Sequence, residues 1–141
     1  MYIERSVFLM ENHIKLTMIT PEKEFYSGDI LSLNTQSDEG VFGILANHVP
    51  MISQLKPTVT TFTQVDGKEL KAFTSTGVLR VLKGEVEMLC SACEWPQDID
   101  AERAKKAKAR AEKRLNTDDE VSLKRAEGAV LRSVMRLKTK G

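Results

Sequence analysis

Glu39-Gly40-Val41-Phe42-Gly43-Ile44-Leu45-Ala46-Asn47-His48-Val49-Pro50 puts glycines, apolar residues, a single histidine and a proline into one short stretch. Gly40 and Gly43 allow backbone angles that a Cβ opposes, and Pro50 drives Val49 toward an extended conformation, so the stretch reads as turn, strand, turn. A phosphate loop needs more glycines and a Lys-Ser/Thr pair at the head of a helix, and neither follows. On its residues alone the stretch is a corner of a β domain, with a ligand or partner site as the alternative.

Working outward, residues 13 to 92 alternate short β-favouring runs with turn signals, the pattern of an antiparallel sandwich or barrel. Strands are expected at His13–Ile19, Ile30–Gln36, Val41–Ile44, Val59–Gln64, Glu69–Thr74, Val78–Leu82 and Glu85–Cys90, and Asp66-Gly67 is the strongest hairpin signal. Alternation places Ile14, Leu16 and Met18 on one face, Leu31 and Leu33 on one, and Val86, Met88 and Cys90 on one. The threonine-rich run from Val59 to Thr63 suits a surface strand. No hydroxyl or thiol lies beside a histidine in the sequence, so no nucleophile and base pair emerges, and no catalytic residue is expected.

At Trp95-Pro96-Gln97 the pattern breaks, and a hinge is expected over 95–98. Asp98, Asp100 and Glu102 then open a helix that runs to Leu115, with Ala104, Ala107, Ala111 and Leu115 on one face. Thr117 to Glu120 has the form of a capping box, starting a second helix whose apolar stripe is Leu123, Ala126, Val130, Val134 and Leu137. So short a connection implies an antiparallel hairpin. Alanine faces bury only about 0.8 kcal/mol per methyl-sized group, and Gly128 weakens the second helix by roughly 1 kcal/mol, so weak docking on the β domain is expected. The fold class is therefore α+β: an N-terminal extension at 1–12, an antiparallel β-sandwich at 13–94, the hinge, and a helical hairpin at 99–141.

The net charge is +1, but residues 1–97 carry 8 basic and 12 acidic side chains against 13 and 8 in residues 98–141. A basic tail suits an acidic partner, a nucleotide, or the acidic half of its own chain. Nucleic acid is disfavoured by the near-neutral whole and by the absence of aromatics among the basic residues. No run approaches the ~20 apolar residues of a membrane span, so no direct membrane insertion is expected, and the short charged opening does not suit a signal peptide, which reads as cytoplasmic. Cys90 and Cys93 form a C-x-x-C without the further ligands that zinc wants, so two reduced thiols at a strand end are expected and no metal. Arg103 and Arg110, seven apart, and Arg132 and Arg136, four apart, project in pairs whose guanidinium forks suit phosphate oxygens.

The opening stretch closely resembles a corner of the epsilon subunit of bacterial F-type ATP synthases, acidic-Gly-x-x-Gly-Ile-x-x-x-His-x-Pro, matched here by Glu39, Gly40, Gly43, Ile44, His48 and Pro50. Ile99-Asp100-Ala101-Glu102-Arg103-Ala104 also matches the I/L-D-x-x-R-A signature at the start of that subunit's helical domain. The resemblance covers residues 13 to 138, which makes residues 1–12 an extension or an upstream start ahead of Met10. It implies a ten-stranded sandwich followed by a hairpin, in a non-catalytic rotor subunit of the central stalk that touches the gamma subunit and the membrane c-ring. The corner of Glu39, Gly40, Val41, Gly43 and His48 lies among those contacts by resemblance, with Val41 where some relatives have an acidic side chain.

The resemblance further implies that the hairpin inhibits ATP hydrolysis when extended toward the catalytic beta and alpha subunits, and that ATP holds it folded. No cofactor is required, and ATP would be a regulatory ligand. Its site residues, carried over position by position, are Glu94, Asp100, Arg103, Ala104, Arg110, Arg132 and Arg136. The location implied is the cytoplasmic face of the membrane, peripheral, in the synthase. The alternative function is a free-standing nucleotide-responsive module acting on another acidic protein.

Overall fold

The computed structural model describes residues 13–141. Nine strands occur among the described residues: β1 Ile14–Ile19, β2 Glu24–Ser37, β3 Gly40–Leu45, β4 Met51–Leu55, β5 Thr58–Gln64, β6 Glu69–Thr74, β7 Gly77–Leu82, β8 Glu85–Cys90 and β9 Cys93–Glu94. A 3-10 turn at Pro96–Asp98 leads to helices α1 Ala101–Lys113 and α2 Glu120–Lys140. The α+β class and the order of sandwich then hairpin are as the sequence implies; nine strands occur among the described residues where the resemblance implies ten, and the extension at 1–12 lies outside them.

The strands run in the order β1-β8-β7-β4-β2-β5-β6-β9, with β3 added to β2, and β1 pairs a second time with β2, so the sheet folds back on itself. The long β2 makes this possible. Its first half pairs with β1 through Ile14↔Ile30, and its second half lies between β3 and β5, through Thr35↔Phe42 and Leu33↔Phe62. A register shift between Ile30 and Ser32 marks the corner. The extra residue at such a bulge bends the strand, so Ile30 and Leu33 both point into the core while Leu31 is only half-buried. The expected alternation of Leu31 with Leu33 fails there for that reason.

Inside lie Ile14, Leu16 and Met18 of β1, Leu79 and Val81 of β7, and Val86, Met88 and Cys90 of β8, all buried. The core also explains two missed elements. β4 falls between Pro50 and Pro57 and reads as loop, yet it pairs with β7 along its whole length, Met51↔Val81 to Leu55↔Gly77. The first half of β2 contains Ser27-Gly28-Asp29, a turn signal that pairing with β1 overrides.

The threonine-rich strand is a correction as well. β5 is flanked by β2 and β6, not exposed, and Thr60 is fully buried. Its hydroxyl lies 2.9 Å from that of Thr35 and 2.7 Å from that of Thr74, so three neighbouring strands satisfy their buried hydroxyls mutually.

The cap of α2 differs from the expected box. Asp119 is the capping residue: its carboxylate accepts from the amides of Val121 and Ser122 and from the Ser122 hydroxyl at 2.6 Å, while Thr117 accepts from the Asp119 amide. The Ser122 hydroxyl, then the Val121 amide, hold the Asp119 carboxyl below its ordinary range. Burial on α2 also departs from the apolar stripe. Ala126, Ser133 and Thr139 are the buried positions, whereas Leu123, Val130, Val134 and Leu137 are half-buried. Ser133 and Thr139 donate their hydroxyls to the carbonyls of Ala129 and Met135, a local partner that lets a polar side chain lie inside.

Replacing Thr60 by valine keeps the shape but leaves the Thr35 and Thr74 hydroxyls without their shared partner, so the domain should lose roughly 1–3 kcal/mol. A urea or guanidinium midpoint equal to that of the parent protein would show that the threonine ladder contributes nothing.

Candidate functional site

Where the hairpin meets the sandwich, β9 carries Glu94 along the edge of β6, with Phe73 opposite it. Arg136 reaches down from α2, its Nε 2.5 Å from Glu94 Oε1, and its guanidinium carbon sits 4.5 Å from the centre of the Phe73 ring. Both charged side chains are 29% exposed, so the pair is substantially sheltered from water. Phe73 is fully buried beneath it. The junction is also pinned by Trp95, which stacks on Phe25 with ring centres 4.4 Å apart and meets Tyr26 edge-on. The expected hinge at 95–98 is thus anchored by an aromatic cluster and a 3-10 turn.

Around the Arg136–Glu94 pair opens a cavity of 420 Å³, lined by Glu94, Asp98, Asp100, Arg103, Ala104, Ala107, Arg110 and Arg136. Asp100 caps α1 by accepting from the Arg103 amide at 3.1 Å, which fixes where the arginine leaves the helix. Arg103, Ala107 and Arg110 then recur on one side of α1 at helical spacing. Ala104, nearly fully buried, packs at the cavity floor. Among the described residues Arg103 and Arg110 take part in no ion pair, which leaves both forks available to an anion.

Six of the seven expected nucleotide-site residues therefore come together: Glu94, Asp100, Arg103, Ala104, Arg110 and Arg136. Arg132 does not join them. It lines a separate cavity toward the turn of the hairpin. Sequence reasoning missed Asp98 and Ala107 as lining residues. Ala107 was legible from its spacing between Arg103 and Arg110, whereas Asp98 depends on the 3-10 turn.

The β3 corner is a second candidate surface. Glu39, Gly40, Val41, Gly43 and His48 line one shallow cavity of 310 Å³. Gly40 adopts φ +132°, which only glycine takes readily. Gly43 has no such angle; a Cβ there would stand 2.9 Å from the oxygen of the exposed Asn34 side chain, which would have to move aside. The His48 ring donates from Nδ1 to the carbonyl of Val49 at 2.7 Å. Around it Val41, Leu45, Val49 and Ile52 are 76, 66, 69 and 74% exposed. Large apolar side chains grouped on a surface mark a contact with another molecule.

The cysteines are both free, Cys90 buried at the end of β8 and Cys93 half-buried at the start of β9. A hydrogen bond between them, with burial added, pushes the Cys93 thiol well above its ordinary range. Among the described residues no group of three or more His, Cys, Asp or Glu side chains is arranged to hold a metal, and no helix is long and apolar enough to cross a membrane.

Comparison with known proteins matches residues 13–96 to the beta-sandwich domain, and residues 97–141 to the long alpha-helix domain, of the ATP synthase delta/epsilon chain. The ATP synthase epsilon chain of Clostridium kluyveri is 46% identical over 128 residues, spanning 91% of this chain and 97% of that one. That of Clostridium acetobutylicum is 49% identical over 110 residues, spanning 78% and 83%. Among solved structures, a chain of the Euglena gracilis mitochondrial ATP synthase, described as OSCP/F1/c-ring, aligns with a TM-score of 0.77 at 23% identity over 86% of this chain and 78% of its own. A chain of the Tetrahymena thermophila mitochondrial ATP synthase central stalk and c-ring aligns at 0.68 and 14% over 91% and 96%.

Arg136→Gln removes the charge shared by Glu94 and Phe73 and should loosen α2 from the sandwich by about 1–3 kcal/mol. Hydrogen exchange at amides 126–139 should accelerate correspondingly, by about tenfold per 1.4 kcal/mol, with the strands unaffected. Equal acceleration in β1 and β8 would mean instead that the hairpin and sandwich open as one unit.

Proposed function

The chain belongs to the ATP synthase delta/epsilon chain family, and from that premise we propose that it is a non-catalytic rotor subunit of the central stalk, with a β domain that couples and a hairpin that regulates. The coupling role is supported by the aligned chains, which come from one assembly described as OSCP/F1/c-ring and another described as central stalk and c-ring. The exposed Val41, Leu45, Val49 and Ile52 around the glycine corner fit a contact with the c-ring, and the outer faces of β7 and β8, with Val78, Leu82 and Leu89 part-exposed, fit the gamma subunit. Such a subunit works peripherally at the cytoplasmic face of the membrane.

The regulatory reading is carried by one observation: a 420 Å³ cavity whose walls come from β9, the joint, α1 and α2 together. That volume is within the ordinary range for a small-molecule site. ATP is its occupant in this reading. Arg103 and Arg110 supply free forks for phosphate oxygens, Arg136 adds positive charge beside its pair with Glu94, and the carboxylates of Asp98 and Asp100 accept from ribose or base donors. A ligand held by all four elements binds only while the hairpin is docked, so it stabilises the docked form by no more than its own preference for that form. Without it the basic hairpin swings toward acidic surfaces of the catalytic beta and alpha subunits and obstructs hydrolysis.

Calorimetric titration of the isolated protein should show saturable binding of ATP that is lost on Arg103→Ala. No heat up to millimolar ATP would remove the sensor role and leave the rotor assignment standing. Separately, truncation after Gln97 should raise ATP hydrolysis by the assembled complex while leaving assembly intact. Hydrolysis at the parent rate in the truncated complex would exclude inhibition by the hairpin.

A further inference from the structure

The turn end of the hairpin encloses a second cavity, of 620 Å³, that the proposed ATP site does not use. Arg114 enters it from the end of α1, and Lys124, Arg125 and Arg132 enter it from α2, with the side chains of Thr117 and Ser122 at its wall. No carboxylate lines it. The contrast with the first cavity is one of lining charge: there Glu94, Asp98 and Asp100 stand beside Arg103, Arg110 and Arg136, whereas here four cations line one space with no carboxylate among them.

Among the described residues none of the four cations takes part in an ion pair. The Asp119 carboxylate, which accepts from the Val121 and Ser122 amides and the Ser122 hydroxyl, lies outside the lining. Gly128 contributes by what it lacks, since a Cβ there would stand 3.3 Å from Arg132 Nη1. Glycine therefore leaves the guanidinium slightly more room beside the helix.

Cations gathered from two helices repel one another across the groove, and a multivalent oxyanion removes that repulsion while taking charge-assisted hydrogen bonds from each fork. We propose that the turn end of the hairpin binds a compact phosphate-class oxyanion, held by Arg114, Lys124, Arg125 and Arg132 so that it bridges α1 to α2. The phosphate can be free, as phosphate or pyrophosphate, or the tail of a nucleotide. In either form it closes the hairpin from the end opposite the Glu94–Arg136 pair. This site is distinct from the first cavity, because the two share no lining residue.

The test is an amide chemical-shift titration of the full chain with pyrophosphate, ionic strength held constant with potassium chloride. Saturable shifts confined to amides 114–132 are expected, weakened by about tenfold or more in Arg114→Gln/Arg125→Gln and retained in Arg103→Gln. Both replaced arginines are exposed, so helix content by circular dichroism should be unchanged; Lys124→Gln, a milder change at another exposed position, should weaken binding in the same direction. Shifts that never saturate, or that potassium chloride reproduces, overturn the proposal. So does saturable binding that survives the double variant and disappears in Arg103→Gln, which assigns the anion to the first cavity. A parallel titration of Arg103→Gln with ATP identifies the source: movement of amides 114–132 supports a nucleotide tail, and their silence beside a pyrophosphate response supports free phosphate.

Discussion

A guanidinium held between a carboxylate and an aromatic ring makes the one ion pair, among the described residues, that joins the sandwich to the hairpin: Arg136 on Glu94 and Phe73. A sheltered ion pair gains less than its Coulomb attraction suggests, because both partners give up water. The aromatic face beneath Arg136 replaces part of that lost solvation, and Phe73 is in turn kept dry by the helix that Arg136 belongs to. Each element of the contact therefore depends on the others. Lift α2 and Phe73 is wetted, Glu94 loses its partner, and the two-residue strand β9 has only Phe73 and Thr74 to hold it to the sheet. A phosphate placed in the adjoining cavity would meet Arg136 beside Glu94, a side chain whose position there depends on the hairpin being docked.

Much of the β domain was legible because turns punctuate it. Glu69–Thr74 and Glu85–Cys90 keep their expected bounds, each beginning just after a glycine turn at Gly67 or Gly84. The misreadings share one cause, which is pairing across the sheet that outweighs local preference. Two prolines hid β4, an internal Ser-Gly-Asp hid half of β2, and threonines made β5 look wet although their hydroxyls satisfy one another inside. None of these is visible to a window of a few residues. On α2 the apolar stripe misplaced the buried positions because the helix touches both α1 and the sandwich, and Ser133 and Thr139 bring their own hydrogen-bond partners inside.

The site was legible to the extent that helical spacing governs it. Asp100, Arg103 and Arg110 lie on a single helix, and their convergence follows from its period. Glu94 and Arg136 come from elements far apart in sequence, and only the resemblance to a known family brought them together beforehand. Arg132 shows the limit of that reasoning. It has the expected residue type one turn from Arg136, yet Gly128 gives its guanidinium space on the other side, and it faces a different cavity.

The charge asymmetry acquires a spatial meaning from these two cavities. Excess positive charge on the hairpin is not spread evenly along it. At the base, three carboxylates offset three arginines, and at the turn four cations have no carboxylate among them. By sequence the two ends differ in the opposite sense: residues 111–132 carry 5 basic and 5 acidic side chains, whereas 98–110 and 133–141 together carry 8 and 3. The turn is therefore cationic only within its cavity, while its outer surface also carries acids, and a distant acidic surface is drawn more strongly to the base of the hairpin. A small oxyanion can enter the turn cavity and meet guanidinium groups that a large acidic partner, facing the neutral exterior, does not single out.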